Sequence, residues 1–280
     1  PIKWPEGKKA AASFSFDIDA ESVILNFKPS TANQMTVMSH QSYGPLSGVK
    51  RILEILERNQ VKSTFFVPGY TARRYPSVIK NIVAAGHEIA HHGDMHEQPA
   101  AATIEDEIKY IERGIDSLQK VAGVTPIGYR APFWELSWKT PELLVEYGFL
   151  YDTSLMDADY PYELAVKDKS LVELPVQWAL DDWEQYAFLP DITGVGLIES
   201  PLKAREMWQL EFDGLRKEGG IFILTNHPFL TGRPSRAFSL EVLIQYALSH
   251  KDVWITSLDE IAKHVRSLNL KPRVLTKPEV

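Results

Sequence analysis

A chain of 280 residues with 44% apolar and 24% charged side chains has the make-up of a globular protein that can bury a core without covalent staples. Its formal net charge of -7 argues against a nucleic-acid partner, because phosphate binding calls for a basic face. The absence of cysteine excludes disulfides, a thiol nucleophile and a thiolate metal site, so any metal must rest on His, Asp or Glu.

The first nine residues, PIKWPEGKK, lack the apolar centre of a signal peptide. No run approaches the roughly 18 apolar residues of a membrane span. The expectation is one cytoplasmic domain over residues 1–280 with no membrane partner. Strand-like and helix-like runs then alternate. Residues 10–16 (AAASFSF) form a short apolar strand. Residues 47–59 have helical periodicity, with Val49, Ile52, Leu53 and Leu56 on one face. The β-branched and aromatic run 63–67 (STFFV) is a strand, 75–85 a helix opened by Pro76, and 86–91 (GHEIAH) a short strand. Residues 103–122 form a long amphipathic helix with Thr103 as its cap. A strand at 125–130 and a helix at 140–147, closed by Gly148, follow. Helices at 203–217, 240–249 and 258–268 enclose strands at 220–225 (GIFILT) and 253–256. Residues 22–44 are expected as an inserted loop or lid, and 269–280 as a C-terminal arm. Such alternation favours a mostly parallel sheet; a closed or nearly closed β/α barrel is the first choice and a doubly wound open sheet the second.

The reactive side chains fall at strand ends, where β/α barrels gather catalytic groups. Asp17 and Asp19 follow the first strand, His92 and His96 follow GHEIAH, Arg130 ends TPIGYR, and His227 ends GIFILTN. Two histidines four apart share one face if their segment is helical, so both imidazoles can reach one cation. His87 and His91 form a competing pair, and spacing does not choose between the two. Asp17 and Asp19 share a direction in extended chain, so that one could bind a metal and the other act as a base. Arg130 is either a structural ion-pair partner or a clamp on a catalytic carboxylate. His227 is either a buried, hydrogen-bonded imidazole or a general acid for a departing amine. Asp181 and Asp182, flanked by Trp178 and Trp183, could orient His227 or form a pocket wall.

Five of these segments, in this order, resemble the polysaccharide deacetylases, the NodB-homology group also called carbohydrate esterase family 4. The family carries Thr-Phe-Asp-Asp-Gly, His-Ser/Thr-x-x-His, Arg-x-Pro-Tyr, Asp-Trp and Leu-x-x-His segments. Here their places are taken by Phe16 to Asp19, His92 to His96, Arg130 to Phe133, Asp182 with Trp183, and Leu224 to His227. The resemblance implies a distorted (β/α)7-type barrel and a divalent metal, usually zinc, on Asp19, His92 and His96. It implies Asp17 as the base, Arg130 as its holder, His227 as the acid and Asp182 as the residue that tunes it. The Phe133 N–H would help hold the oxyanion, with Trp134 and Trp183 contacting substrate. His87 and His91 stand in the family's Gly-His-Glu-Ile-Gly-Asn phrase, ahead of the first metal histidine.

The chain also departs from the pattern. Asp17-Ile18-Asp19 replaces adjacent aspartates with no glycine after them, and Phe133 replaces tyrosine, followed by Trp134-Glu135. These features resemble the branch that holds cyclic imidases, metal-independent allantoinase-like enzymes and a cytoplasmic peptidoglycan-deacetylase-like protein. The implied activity is hydrolysis of a small cyclic imide or ureide by metal-activated water. The alternatives are an N-acetyl deacetylase of a sugar or peptidoglycan fragment and, in another class, a non-catalytic carbohydrate-binding protein on this scaffold. Related cytoplasmic members imply a homo-oligomer, a dimer or tetramer.

Overall fold

The first strand, β1 (Ala10–Asp17), is buried along all eight residues and organises the sheet. Its small and aromatic side chains alternate. Ala10, Ala12, Phe14 and Phe16 pack under the helices, while Ala11, Ser13, Ser15 and Asp17 take the opposite face. That alternation brings two hydroxyls and one carboxylate to the concave side of the sheet. The computed structural model describes residues 2–190 and 196–280; Pro1, part of the N-terminal segment read above, lies outside them.

The remaining strands are β2 (Thr64–Val67), β3 (Glu88–His91), β4 (Gly128–Tyr129), β5 (Tyr151–Asp152), β6 (Tyr162–Val166), β7 (Lys169–Glu173), β8 (Ile221–Asn226) and β9 (Val253–Ile255). They run in the order β6-β7-β5-β4-β3-β2-β1-β8. All neighbours are parallel except the β6–β7 hairpin. β8 covers one edge of β1 from Ala11 to Phe16. The other edge is therefore divided, with β9 against Ala10–Ala12 and β2 against Ser15–Asp17. On the outer edge of β8, Asp181 bridges Thr225 and the Asp182 N–H donates to the Thr225 carbonyl at 3.1 Å. The architecture is the expected α/β half-barrel of the (β/α)7 type.

Several elements differ from the expectations. Residues 22–44 are helical rather than a loop, with helices Ser22–Phe27 and Met35–Tyr43 joined by a 3-10 turn at Pro29–Asn33. The run MTVMSHQSY has no apolar stripe, so periodicity could not reveal it. Val23 and Ile24 nevertheless pack against Leu189, Val37, Met38 and Trp183. The strand expected at 125–130 shrinks to two residues, since Pro126 has no N–H for the ladder. Prolines at the first turn extend two helices toward the N-terminus, to Pro201–Glu218 and Pro234–Ser249. The β6–β7 hairpin had no counterpart among the expected elements. In the tail, Arg273 pairs with β6 through Glu163 and Ala165, and the residues beyond it are largely exposed. Among the described residues, no helix is long and apolar enough to cross a membrane.

Thr103 caps the helix Ile104–Ala122 by accepting from the Asp106 N–H, and Gly123 closes it at φ 65°. Gly114 in its middle costs helix stability by itself, but it makes room for a buried ring. A Cβ there would lie 2.2 Å from His91 Nε2, which hydrogen-bonds the Ile111 carbonyl at 2.9 Å. Gly114→Ala should therefore destabilise the protein by about 2 kcal/mol, rather than adding the roughly 1 kcal/mol expected of glycine-to-alanine in an open helix. Urea denaturation midpoints test the sign.

Candidate active site

The strand ends converge. Asp17 closes β1, and Asp19 follows two residues later on chain turned by Ala20 at φ 50°. His92 comes directly after β3, Arg130 after β4 and His227 after β8. The segment 92–96 is not helical. Gly93 (φ 76°) and His96 (φ 57°) fold it back so that the His92 and His96 rings sit 4.9 Å apart. Glu97 Oε1 pins this turn by accepting from the Asp94 and Met95 N–H groups.

Arg130 is fully buried. Its Nη1 donates to Asp17 Oδ1 at 2.8 Å and to Ser15 Oγ at 3.0 Å, and its Nε donates to the Thr153 carbonyl at 3.3 Å. The Arg130 carbonyl lies 2.7 Å from His92 Nδ1. A proton on Nδ1 completes that bond and leaves the Nε2 lone pair free. His92 Nε2 is 3.3 Å from Asp19 Oδ1 and 3.7 Å from Asp17 Oδ2. His96 Nε2 and His227 Nε2 each lie 3.6 Å from Asp19 Oδ2. His227 Nδ1 faces Asp182 Oδ1 at 2.6 Å, and Asp182 Oδ2 accepts from the His227 N–H at 2.8 Å and from the Thr231 hydroxyl.

The electrostatics follow from this geometry. Burial acts to raise the Asp19 pKa, but His96, His92 and His227 outweigh it and hold Asp19 below the usual carboxylate range. Burial opposes the charge on His227, yet Asp182, Asp181 and Asp19 lift it well above the ordinary imidazole value. His92 is raised against burial by Asp17 and Asp19. His96 is pushed down to about 4, chiefly by burial.

Both Asp19 oxygens are buried without a hydrogen-bond partner among the described residues. An ionised carboxylate left so would be costly unless a cation completes it. Asp19, His92 and His96 each offer a ligand atom within 4.8 Å of the others. One carboxylate and two imidazoles suit a zinc-type ion, so the residues fit the group.

Of the ten site residues that the resemblance implied, eight line one pocket here, and Arg130 and Asp182 stand behind Asp17 and His227. The pocket has a volume of about 240 Å³, and Phe133, Trp134 and Trp183 are among its walls. Phe133 and Trp134 have consecutive left-handed conformations, at φ 59° and 54°. The hydrogen bonds of their turn run from Trp134 to Ala131 and from Glu135 to Pro132, and do not use the Phe133 N–H. Trp178, read from the sequence as part of a possible pocket wall, stacks on Trp134 at 4.6 Å and lines the pocket. Sequence reasoning did not single out Val23 or Glu184, which also line it; the signal for Glu184 was its place next to the Trp178–Trp183 run of acids and indoles.

The competing histidines lie elsewhere. His91 is buried, accepting from the Gly93 N–H at 3.1 Å. His87 borders a larger cleft of about 860 Å³ on the outer face, between helices Val49–Arg58 and Pro76–Ala84. It accepts from the Ser63 N–H at 3.1 Å.

Residues 31–151 match the family model for polysaccharide deacetylase. A peptidoglycan deacetylase of Helicobacter pylori is 32% identical over 242 residues, 77% of this chain and 82% of the relative. A solved Mycobacterium smegmatis protein of polysaccharide deacetylase type superposes with a TM-score of 0.99 at 56% identity, covering 100% of this chain and 98% of the other. Puue allantoinase superposes with a TM-score of 0.82 at 26% identity, covering 96% and 94%.

Burial, seconded by Lys62, pushes His87 down from 6.5 to about 4. Between those two values the unfolded chain holds a proton there and the folded chain does not, so this group's contribution to stability is lost as pH falls from 6.5 toward 4. His87→Asn, whose amide oxygen can take the Ser63 N–H, should flatten the stability–pH slope in that window by about 1.4 kcal/mol per pH unit. Denaturant titrations across the window read the slope.

Proposed function

This chain belongs to the polysaccharide deacetylase family of hydrolases, which act on carbon–nitrogen amide bonds, and from that premise we propose that it is a metal-dependent enzyme opening a small cyclic imide or ureide. The observation that carries the reading is the pocket itself. About 240 Å³ lies below the roughly 300–1,000 Å³ of ordinary ligand pockets, and its aromatic walls suit a small planar ring better than a glycan chain. The likeness to a structure named as an allantoinase, a name that points to a cyclic ureide, supports the same choice.

In this reading Asp19, His92 and His96 hold a divalent ion, zinc by its fit to the donor set. When bound, the ion supplies positive charge that polarises the amide carbonyl and acidifies the attacking water. Asp17 takes the proton from that water. Arg130 holds the Asp17 carboxylate through Oδ1 and so aims it, leaving Oδ2 toward the pocket. The Phe133 N–H, spared by its turn, turns toward the oxyanion as it forms. His227 stands across Asp19 from His92, charged through its contact with Asp182, and gives its Nε2 proton to the departing nitrogen. Leaving-group protonation matters because an amide nitrogen does not depart as an anion.

A second reading is N-acetyl deacetylation of a sugar or peptidoglycan fragment, favoured by the Helicobacter pylori relative. It uses the same groups. Mass spectrometry of products from zinc-loaded protein, offered cyclic imides and N-acetylated sugar oligomers side by side, separates the two. A product heavier by one water is expected; loss of acetyl would replace the ring-opening reading with the second. His227→Ala should lower kcat by about 10² to 10⁴-fold with metal content unchanged. Equal loss of metal in that variant would refute its role as the acid.

A further inference from the structure

A second cavity, of about 540 Å³, lies between the helix Met35–Tyr43 and the start of the helix Pro234–Ser249. It shares no lining residue with the pocket at the strand ends. Thr36, His40, Tyr186, Arg233, Ser235 and Arg236 give it polar walls, and Val37 and Phe188 add apolar surface. Among the described residues no Asp or Glu lines it, although the chain carries a net charge of -7.

The two guanidiniums of this cavity are held in place by rings rather than by carboxylates. Arg233 lies over the Tyr43 ring at 3.6 Å, and Arg236 over the Tyr186 ring at 4.6 Å. Arg236 spends Nη1 on the Leu230 carbonyl at 3.2 Å. The Arg233 side chain makes no hydrogen bond to a described residue, and neither arginine has an ion-pair partner among them. A third guanidinium, Arg51, fixes the platform beneath Arg233. Its Nη1 donates to the Tyr43 hydroxyl at 2.9 Å and to the Gly232 carbonyl at 2.6 Å. Burial, and then Arg233 and Arg236, hold His40 below the ordinary imidazole range, as expected of a ring close to both cations. Cations gathered on one cavity repel each other, and a bound anion would relieve that repulsion. The backbone adds donors. The first turns of both helices reach the cavity through Thr36 and Ser235, with no acid in either turn. The Ser235 and Arg236 N–H groups meet no acceptor among the described residues.

We propose that this cavity binds a phosphate group, gripped between the guanidiniums of Arg233 and Arg236. A planar guanidinium offers its N–H groups as a fork that meets two oxygens at once. A carboxylate has two oxygens and is satisfied by one fork. A phosphate has enough oxygens to meet both forks and still accept from the Ser235 hydroxyl or a first-turn N–H. A volume of about 540 Å³ is larger than one phosphate needs, and Val37 and Phe188 can cover an apolar group attached to it. The site stands apart from the ring-opening reading and does not depend on it.

The test is calorimetric titration of the zinc-loaded protein with inorganic phosphate, phenyl phosphate and benzoate at low ionic strength. Both phosphates should bind, and benzoate should bind about tenfold more weakly, having lost one fork. Tighter binding of phenyl phosphate assigns the site to a phosphate ester, and equal binding assigns it to free phosphate. Arg233→Gln and Arg236→Gln, made singly, should each weaken phosphate by about tenfold or more. Arg233→Lys, which keeps the charge without the fork, should fall between Arg233→Gln and the unaltered protein. Arg113→Gln removes an exposed cation outside the cavity and should change the affinity by less than about twofold. Arg233 is exposed, so its replacement does not threaten the fold. Melting temperatures without phosphate should match the unaltered protein, and the rise on adding phosphate should be lost in the Arg233→Gln protein. Absence of binding by either phosphate would overturn the assignment. Affinity unmoved by both cavity substitutions would place the phosphate at the metal centre and overturn it as well. Equal weakening in Arg113→Gln would reduce the effect to diffuse attraction by surface charge, with the same consequence.

Discussion

The contact between Arg130 and Asp17 is the constraint on which the rest of the site depends. A guanidinium with no solvent exposure is tolerable only if its charge is met, and Arg130 draws partners to its Nε and Nη1 from several strands at once, while its Nη2 has none among the described residues. It reaches Asp17 and Ser15 on β1 and the carbonyl of Thr153 beyond β5. Its plane lies over the Phe66 ring on β2 at 4.1 Å. Its own carbonyl orients His92 beyond β3. The small residues on the concave face of β1 are what leave room for it. Displacing this one side chain would uncover the buried Asp17 carboxylate and release the His92 imidazole together.

Backbone strain is concentrated where that cross-brace holds the chain. Among the described residues, seven non-glycine residues have positive φ, and Ala20, His96, Phe133 and Trp134 of these lie at or beside the pocket. Each costs on the order of 1–3 kcal/mol and persists only where surrounding contacts over-determine it. At Ala20 those contacts are visible. The next residue, Glu21, is buried and accepts from the Tyr70 and Tyr75 hydroxyls, with Arg74 3.3 Å away. The turn carrying Asp19 is thereby clamped from behind.

A second support lies behind the 130–134 segment. Asp152 and Glu173 are buried together, and burial raises Asp152 to about 6 and Glu173 well above its ordinary value. The Ser154 hydroxyl donates to Asp152 at 2.8 Å and accepts from the Ala131 N–H at 2.9 Å. The left-handed turn that aims Phe133 and Trp134 is thus tied to an acidic pair on β5 and β7. None of these residues touches the pocket, yet they set the shape of its wall.

The sequence by itself determined the alternation of β1, the order of strands and helices, and the placing of Asp17, Asp19, His92, Arg130 and His227 at strand ends. Those features are written in periods of two or 3.6 residues and in neighbours a few positions apart. It left residues 22–44 unread because their helices bury too little to show a stripe, and it did not separate His92 and His96 from His87 and His91 by spacing. Only the tertiary structure decided that Gly93 and His96 fold their segment back toward Asp19 while His91 turns into the space left by Gly114. It also decided that Asp182 supports His227 while its neighbour Asp181 faces the pocket. The physical reason is that adjacent residues along an extended segment point to opposite sides, and which side holds the site depends on partners 20 or more positions away in the chain.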